Sequence, residues 1–370
     1  MWWQVAQARQ QAEARARCKA PLFPRSRRSD RRHALQGRGG NHPSGPTGVL
    51  LLAVLLVHGT LLSSAMAAER ARPFQIGALT ESWVPTPPIV GLRDGLLELG
   101  YREHEQFDLG VRFTQGELAA LPAAARDLVR YEADLIFASE VPAAKAAQLA
   151  TTRIPIVFAG GGGHPVEMGL IQSFARPGGN ITGVVNLDVD LSPKRLAVFR
   201  ALVPGLHRVL FPYDPTDTSS LIAVRRYREA ARRLGLVLVE RTVQTQAEAQ
   251  ATLAQVRKGE VDGVVGPPHV AWNIQGFILE RAVHQGIPTM FDTAFYVEQG
   301  GGLASYGPDS YATGRQAARL VDKIIKGTKP AELPVETNAT IEFVINLQTA
   351  KTLGLTIAPE LLYQADRLVC

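Results

Sequence analysis

The sequence predicts an α/β protein of two similar lobes, each a parallel sheet flanked by helices, joined by hinge strands. Two observations carry this. The first is an internal repeat. GLRDGLLELGY (91–101), LGVRFTQG, EADLIFAS (132–139) and TTRIPIVFAGG (151–161) are echoed by AVRRYREAARRLGL (223–236), VLVERTV, EVDGVVGP (260–267) and HQGIPTMFDTA (284–294). Each copy has a helix ending in Leu-Gly, an apolar strand, a helix, an Asp before a buried strand, another helix, and an Ile-Pro strand. The second is the alternation of strand and helix patterns from residue 73 onward, which is how parallel sheets are built. Two lobes built alike and set side by side enclose a cleft, where small ligands usually bind.

The elements follow in order. FQIGALT (74–80) is a buried strand, and a helix from about Pro88 carries Ile89, Leu92, Leu96 and Leu99 on one face. Gly100 ends that helix at C′. VRF (111–113) is a strand and 117–131 a helix. DLIFAS leads into VPAAKAAQLA, where Pro142 suits a first helical turn. IPIVFAG, a helix MGLIQSFA (168–175) and a strand NITGVVNL (180–187) complete the first lobe. Ser192-Pro193 reads as an N-cap followed by a proline at N1. RVLFPYD (208–214) opens the second lobe as FQIGALT opened the first. GLASYGP (302–308) is a short strand. YATGRQAARLVDKIIKG (311–327) is an amphipathic helix with Ala317, Leu320, Val321, Ile324 and Ile325 on one side. IEFVINLQTAKTLGL (341–355) is a strand turning into a short helix. Lobe 1 is expected to span 73–185 plus about 310–333, and lobe 2 186–309 plus about 334–370. Crossings fall near 185–188, 307–310 and 330–336.

Residues 1–67 stand apart as a basic leader. VLLLAVLLV (49–57) followed by Ala65-Met66-Ala67 has the apolar core and small-residue cleavage site of a secretory signal peptide, cut at Ala67/Ala68. The run is shorter than the roughly 20 apolar residues of a membrane span, and His58 and Gly59 interrupt it. Residues 1–47 hold nine Arg and one Lys against Glu13 and Asp30. They account for ten of 40 basic and two of 34 acidic residues, leaving 30 against 32. The net charge of +6 thus becomes −2 beyond the leader, which removes the argument for a nucleic-acid partner. Of the two cysteines, Cys18 lies in the leader and Cys370 is the last residue. A processed chain therefore has no internal disulfide.

In a parallel sheet the strand carboxyl ends and the N-termini of the following helices face the ligand. The candidates there are Thr80, Glu81 and Ser82, then Ser139 and Glu140, then Gly160–Gly163 with His164. The second lobe offers Tyr213 and Asp214, Pro267 to His269, Asp292 and Thr293, and Ser305 and Tyr306. Donors around Thr80, Ser139 and Gly162 are expected to hold an anionic group. Glu81, Glu140, Asp214 or Asp292 would hold a cationic one. Trp83, Phe295 and Tyr306 offer apolar cover, with core packing the alternative for Trp83 and Phe295. Ser139 reads equally as an N-cap. The glycine run lacks a following Lys-Ser/Thr, so it reads as a hinge or tight loop rather than a phosphate site. His164 and His269 are ligand-facing or solvated loop residues, since no metal-ligand cluster accompanies them. No nucleophile elbow, paired-acid motif or cofactor fingerprint is present; that does not exclude an enzyme, but nothing in the residues argues for one, or for a cofactor or metal. Arg225, Arg226, Arg228, Arg232 and Arg233 form a solvated helix face.

Three stretches resemble a known family: IPIVFAGGGGHPVEMGLIQSFARPGGNITGV (154–184), GGLASYGPDSYATGRQAARLVDKIIKGTKPAELPVE (301–336) and FVINLQTAKTLGLTIAPELL (343–362). They are similar to ABC-transporter substrate-binding proteins of the tryptophan/tyrosine-uptake type. The resemblance implies a type I periplasmic binding-protein fold with two Rossmann-like lobes and no catalysis. It also implies a monomer in the periplasm that passes a small organic ligand, an amino acid or aromatic compound, to permease subunits in the inner membrane. A ligand sensor feeding a signalling receptor is the alternative use of such a fold. Three positions depart from the family pattern. His164-Pro165 stands for Asp-Pro, Ser139-Glu140 for a Thr/Gly-rich loop, and Asp214-Pro215 for Asn-Pro. All three fall at the expected cleft and leave the ligand open.

Overall fold

Each half of the repeat closes into its own sheet. The computed structural model describes residues 72–161, 165–186, 188–216, 218–257, 259–266 and 285–370. The leader, Gly162, His164 and His269 lie outside the described residues. The first run comprises β1 (Phe74–Thr80), α1 (Pro87–Glu98), β2 (Phe107–Phe113), α2 (Leu121–Arg130), β3 (Leu135–Ser139), α3 (Val141–Ala150), β4 (Ile156–Gly160) and β5 (Ile181–Asn186). The second comprises α4 (Ser192–Leu202), β6 (Arg208–Tyr213), α5 (Thr218–Leu234), β7 (Val237–Thr242), α6 (Gln246–Gln255), β8 (Gly263–Val265), β9 (Thr289–Phe291), α7 (Phe295–Gly300) and β10 (Ala304–Pro308). A closing segment adds α8 (Ser310–Ile325), β11 (Glu336–Asn338), β12 (Ile341–Asn346), α9 (Leu347–Thr352), α10 (Pro359–Gln364) and β13 (Arg367–Val369).

The repeat is reproduced strand for strand. One sheet has the order β11-β5-β4-β3-β1-β2 and the other β13-β12-β10-β9-β8-β6-β7. β1 to β5 thus hold the positions that β6 to β10 hold in the second sheet. Pairing is parallel except between β10 and β12. The aspartate written before each central strand does the same work in both. Asp134 Oδ2 accepts the Gln75 N–H at 2.8 Å, and Asp262 Oδ2 accepts the Arg208 N–H at 2.6 Å. The Ile-Pro carbonyls also match, Pro155 accepting from Ile136 and Pro288 from Val264.

Strands buried on both faces read as continuous apolar runs. In β3, Leu135 and Phe137 pack with α1 and α8 residues such as Leu92 and Leu320, while Ile136 and Ala138 face Leu128 of α2 and Ala144 of α3. In β6, Val209 and Phe211 join the cluster of Phe199, Tyr227 and Phe343, and Leu210 faces Val243 and Ile287. α8 comes after the second lobe in sequence yet packs on α1 and the first sheet. Asp309 caps it, its Oδ1 accepting the Ala312 N–H at 2.9 Å.

The chain changes sheets three times, and the crossings lie side by side. Asn186 and Asn338 are register partners between β5 and β11. The Asp309 N–H donates to the Thr340 carbonyl at 2.9 Å, and Asn338 Nδ2 donates to Thr313 Oγ1 at 2.8 Å. The third crossing falls after β11 rather than over 330–336, because Glu336–Asn338 pairs with β5 in the first sheet. Two other expectations are corrected. MGLIQSFA forms no helix: Gly169 takes φ +64, and the Leu170 and Ile171 N–H groups fold back onto the Pro165 carbonyl. Ser192 is not an N-cap. A 3-10 turn over Asp188–Leu191 runs directly into α4, and Ser192 Oγ donates to the Val189 carbonyl at 2.7 Å.

Candidate functional site

The carboxyl ends of both sheets open onto one cavity at the crossings. Lobe 1 contributes Ser82, Thr86, Pro87, Pro88, Glu140 and Gly161, while Asp292, Thr293, Phe295 and Tyr296 come from lobe 2. The first crossing adds Asn186 and Asp188, and the second Pro308 and Ser310. Its empty volume is about 640 Å³, counting the part open to solvent.

Each wall is fixed by local chemistry. Thr86 precedes α1, and its Oγ1 pairs with Ser139 Oγ at 2.8 Å. Ser139 is therefore the last residue of β3, tied across to the α1 entry, and not the N-cap of α3. That position belongs to Glu140, whose φ of +77 and ψ of 162 place a side-chain-bearing residue in a region normally reserved for glycine. Such strain costs about 1–3 kcal/mol and clusters at functional sites. The strained turn brings Glu140 over the end of β4, where its Oε2 accepts the Gly161 N–H at 2.9 Å. Gly160 takes φ +143, a backbone conformation that favours glycine, and a Cβ there would also lie 2.5 Å from that carboxylate.

The cavity is acidic. Burial pushes the Glu140 carboxyl well above its ordinary value, and neighbouring Glu81 adds to this, the Gly161 N–H acts against it, and Asp292 and Asp188 push it further up. A carboxyl raised in the folded state keeps a proton that the unfolded chain has released. Its contribution to stability is therefore lost as pH rises from the ordinary carboxylate range through the raised value. Glu140→Gln removes that loss. Its melting temperature relative to the parent should be flat at acid pH and climb across that window. Parallel profiles for the two proteins would acquit Glu140.

Beneath the cavity sits a fully buried guanidinium. Arg195 of α4 donates from Nε to the Tyr306 carbonyl and from Nη1 to Tyr227 Oη, both at 2.6 Å, and from Nη2 to Asp188. Asp188 raises its proton affinity although burial opposes it. Burial also pushes the Tyr227 hydroxyl up to about 12 against the pull of Arg195.

Of the sequence candidates, Ser82, Glu140, Gly161, Asp292, Thr293 and Phe295 line the cavity. Thr80, Glu81 and Ser139 are buried behind that wall. Thr80 Oγ1 accepts the Ser82 N–H at 3.2 Å. Tyr213, Asp214 and Tyr306 are absent from the lining. Tyr213 packs at the edge of the lobe 2 core, and the Tyr306 ring meets Phe343 at 6.0 Å. Asp214 closes its own turn, accepting from the Thr216 N–H and hydroxyl at 2.8 and 2.7 Å. Asn186, Asp188, Thr86 and Tyr296 were not among the candidates. The adjacency of Asn186 and Asp188 to an expected crossing was the available signal for those two. Nothing local marks Arg195, which sits in an ordinary helical stretch.

Two lobes with parallel sheets around a shared cavity define a binding protein of the type I periplasmic class, a fold shared with solved relatives. A conserved domain protein of Vibrio cholerae O1 superposes with a TM-score of 0.71 at 26% identity, covering 80% of this chain and 99% of that one. An ABC domain of Streptococcus pneumonia in complex with L-Trp gives 0.70 at 24%, covering 80% and 100%, a likeness of fold. A tyrosine-binding protein of Clostridioides difficile is 27% identical over 267 residues, 72% of this chain and 76% of that protein. The model of the ABC transporter substrate binding protein family matches residues 88–369, and the chain belongs to that family.

Proposed function

We propose that this chain is the exported solute-binding component of an ABC importer, a monomer that captures a small organic ligand between its lobes and presents it to an inner-membrane permease. The carrying observation is the single cavity to which both lobes and two crossings contribute walls. A ligand touching both lobes has more affinity for the closed form, and that difference shifts the population toward it. The crossings at Val185–Asp188 and Gly307–Ser310 serve as hinges, and the closed form is what the permease recognises. Phe295 and Tyr296, in edge contact at 5.5 Å, give the apolar wall that an aromatic ligand requires. The tyrosine-binding relative supports the same class. The cavity binds and releases without making bonds. The basic leader and signal peptide are removed on export, which places the working protein in the periplasm.

One preparation tests these statements. Protein recovered from its native periplasm should have a mass beginning near Ala68. Its radius of gyration in small-angle scattering should fall on saturation with a ligand identified by thermal shift, since binding to the native state raises the melting temperature. An unchanged scattering profile at saturation would argue against a closing transport receptor. A mass retaining residues 1–47 would restore the basic leader to the mature protein.

A further inference from the structure

The three crossings are held from opposite sides. At the first, Asp188 is tied to the second lobe, because its carboxylate is bound by Arg195, which also holds Tyr227 and the Tyr306 carbonyl. At the other two the hold comes from the first lobe, through one side chain. Asn338, the last residue of β11, is 5% exposed. Its Nδ2 donates to the Asp309 carbonyl at 2.9 Å and to Thr313 Oγ1 of α8 at 2.8 Å. Its Oδ1 accepts the Thr340 N–H at 2.9 Å. Both hydrogens of the carboxamide and its oxygen are thus engaged.

Asp309 and Thr340 are the residues at which the second and third crossings leave the first lobe. They also bind each other, the Asp309 N–H donating to the Thr340 carbonyl at 2.9 Å. One residue further on, Pro308 and Ile341 are already register partners in the second sheet. The two crossings therefore form one two-stranded ribbon, gripped at its first-lobe end by the Asn338 carboxamide. Asn338 is not among the cavity-lining residues, but its neighbours are. Pro308 and Ser310 flank Asp309, and Asn186 is its register partner on β5.

We propose that Asn338 is a positioning residue for ligand capture, the clamp that makes the second and third crossings bend as one ribbon and so limits the lobe separations the empty protein samples. This rests on the closing function proposed above. On these crossings the bend is confined to the step between the Asp309–Thr340 and Pro308–Ile341 pairs. Without the clamp each crossing turns by itself, and the walls at Pro308, Ser310 and Asn186 lose their fixed relation. The apparent dissociation constant then rises by the inverse of the fraction that remains competent to bind.

Spin labels on the exported protein, at the exposed Cys370 beyond β13 and at Leu149→Cys, 74% exposed on α3, report lobe separation as a distance distribution in pulsed dipolar spectroscopy. Asn338→Ala is expected to broaden the distribution of the empty protein. With L-tyrosine as the probe it should weaken binding about threefold or more, the effect of leaving about a third of the molecules competent. The control is Asn180, at the opposite end of β5, whose Nδ2 likewise donates to two carbonyls, Thr151 at 3.2 Å and Ile154 at 2.6 Å. Asn180→Ala should lower the melting temperature and leave the distribution as narrow as in the parent. An unchanged distribution in Asn338→Ala would overturn the proposal. Equal broadening in Asn180→Ala would do the same, since it would show a general loss of stability. Thr313→Val removes one partner of the clamp at nearly constant shape and should broaden the distribution less than Asn338→Ala. If Asn338→Ala does not fold, Thr313→Val decides, and a distribution identical to the parent's overturns the assignment. A parent that does not bind L-tyrosine would count against the aromatic-ligand reading, while the empty-protein distributions still decide the clamp.

Discussion

Arg195→Met should be the most damaging single substitution in the second lobe, costing about 3–5 kcal/mol of stability, the range for breaking a buried ion pair. Arg195 is 1% exposed and reaches three separate elements: Asp188 at the first crossing, Tyr227 on α5 and the Tyr306 carbonyl on β10. Methionine fills much of the space but leaves the Asp188 carboxylate, itself 8% exposed, beside an apolar side chain. Lysine does not rescue it, because a point charge on a flexible stem cannot serve three acceptors set around a planar fork. Adding Asp188→Asn to Arg195→Met should recover part of the loss, since it removes the stranded charge. Denaturant unfolding of the single and double variants measures both effects. A cost below about 1 kcal/mol for Arg195→Met, the level of an exposed pair, would show that the network contributes little.

Gly314→Ala is the second large effect, and it links stability to the cavity. Alanine is intrinsically better than glycine in a helix by about 1 kcal/mol. Here its Cβ would overlap the Pro88 carbonyl of α1, a backbone group that cannot rotate away. Gly91 faces the Tyr311 carbonyl of α8 in the same way, and at Gly95 a Cβ would come within 2.7 Å of Ala318 Cβ. The two helices thus meet backbone to backbone. Forcing them apart should cost a net of about 2 kcal/mol, within the usual range for overpacking. It should also weaken ligand binding, because Pro88 lines the cavity. Gly110→Ala is the control, with open space around the added atom and a change expected within about 0.5 kcal/mol. Equal stability for Gly314→Ala and Gly110→Ala would refute the close helix contact.

The order of strands and helices was legible because local rules write it into the chain. Apolar runs of strand length, Leu-Gly helix ends, the aspartate before each central strand and the Ile-Pro entries recur at matching positions. Their recurrence implied two similar sheets with their carboxyl ends toward a common space. The same rules placed Glu140, Asp292 and Phe295 at strand ends facing the cavity. They failed where a local signal had two solutions. MGLIQSFA has helical apolar spacing, yet Gly169 at positive φ and the backbone bonds to Pro165 turn it into a loop. Tyr213 and Asp214 occupy the equivalent strand end in lobe 2, yet one packs into the core edge and the other closes its own turn.

By itself the sequence determined the architecture, since hydrophobic periodicity, turn residues and an internal repeat act over short distances and survive without knowledge of the partners. Only the tertiary structure decided which polar groups remain available to a ligand. That depends on residues far apart in the chain: Ser139 tied to Thr86, Arg195 to Tyr306, and α8 returned to α1 from beyond the second lobe. A hydroxyl or guanidinium reads the same in sequence whether its hydrogen bonds are spent inside the fold or left open. The difference is set by distances of about 3 Å between segments separated by 53 to 111 residues.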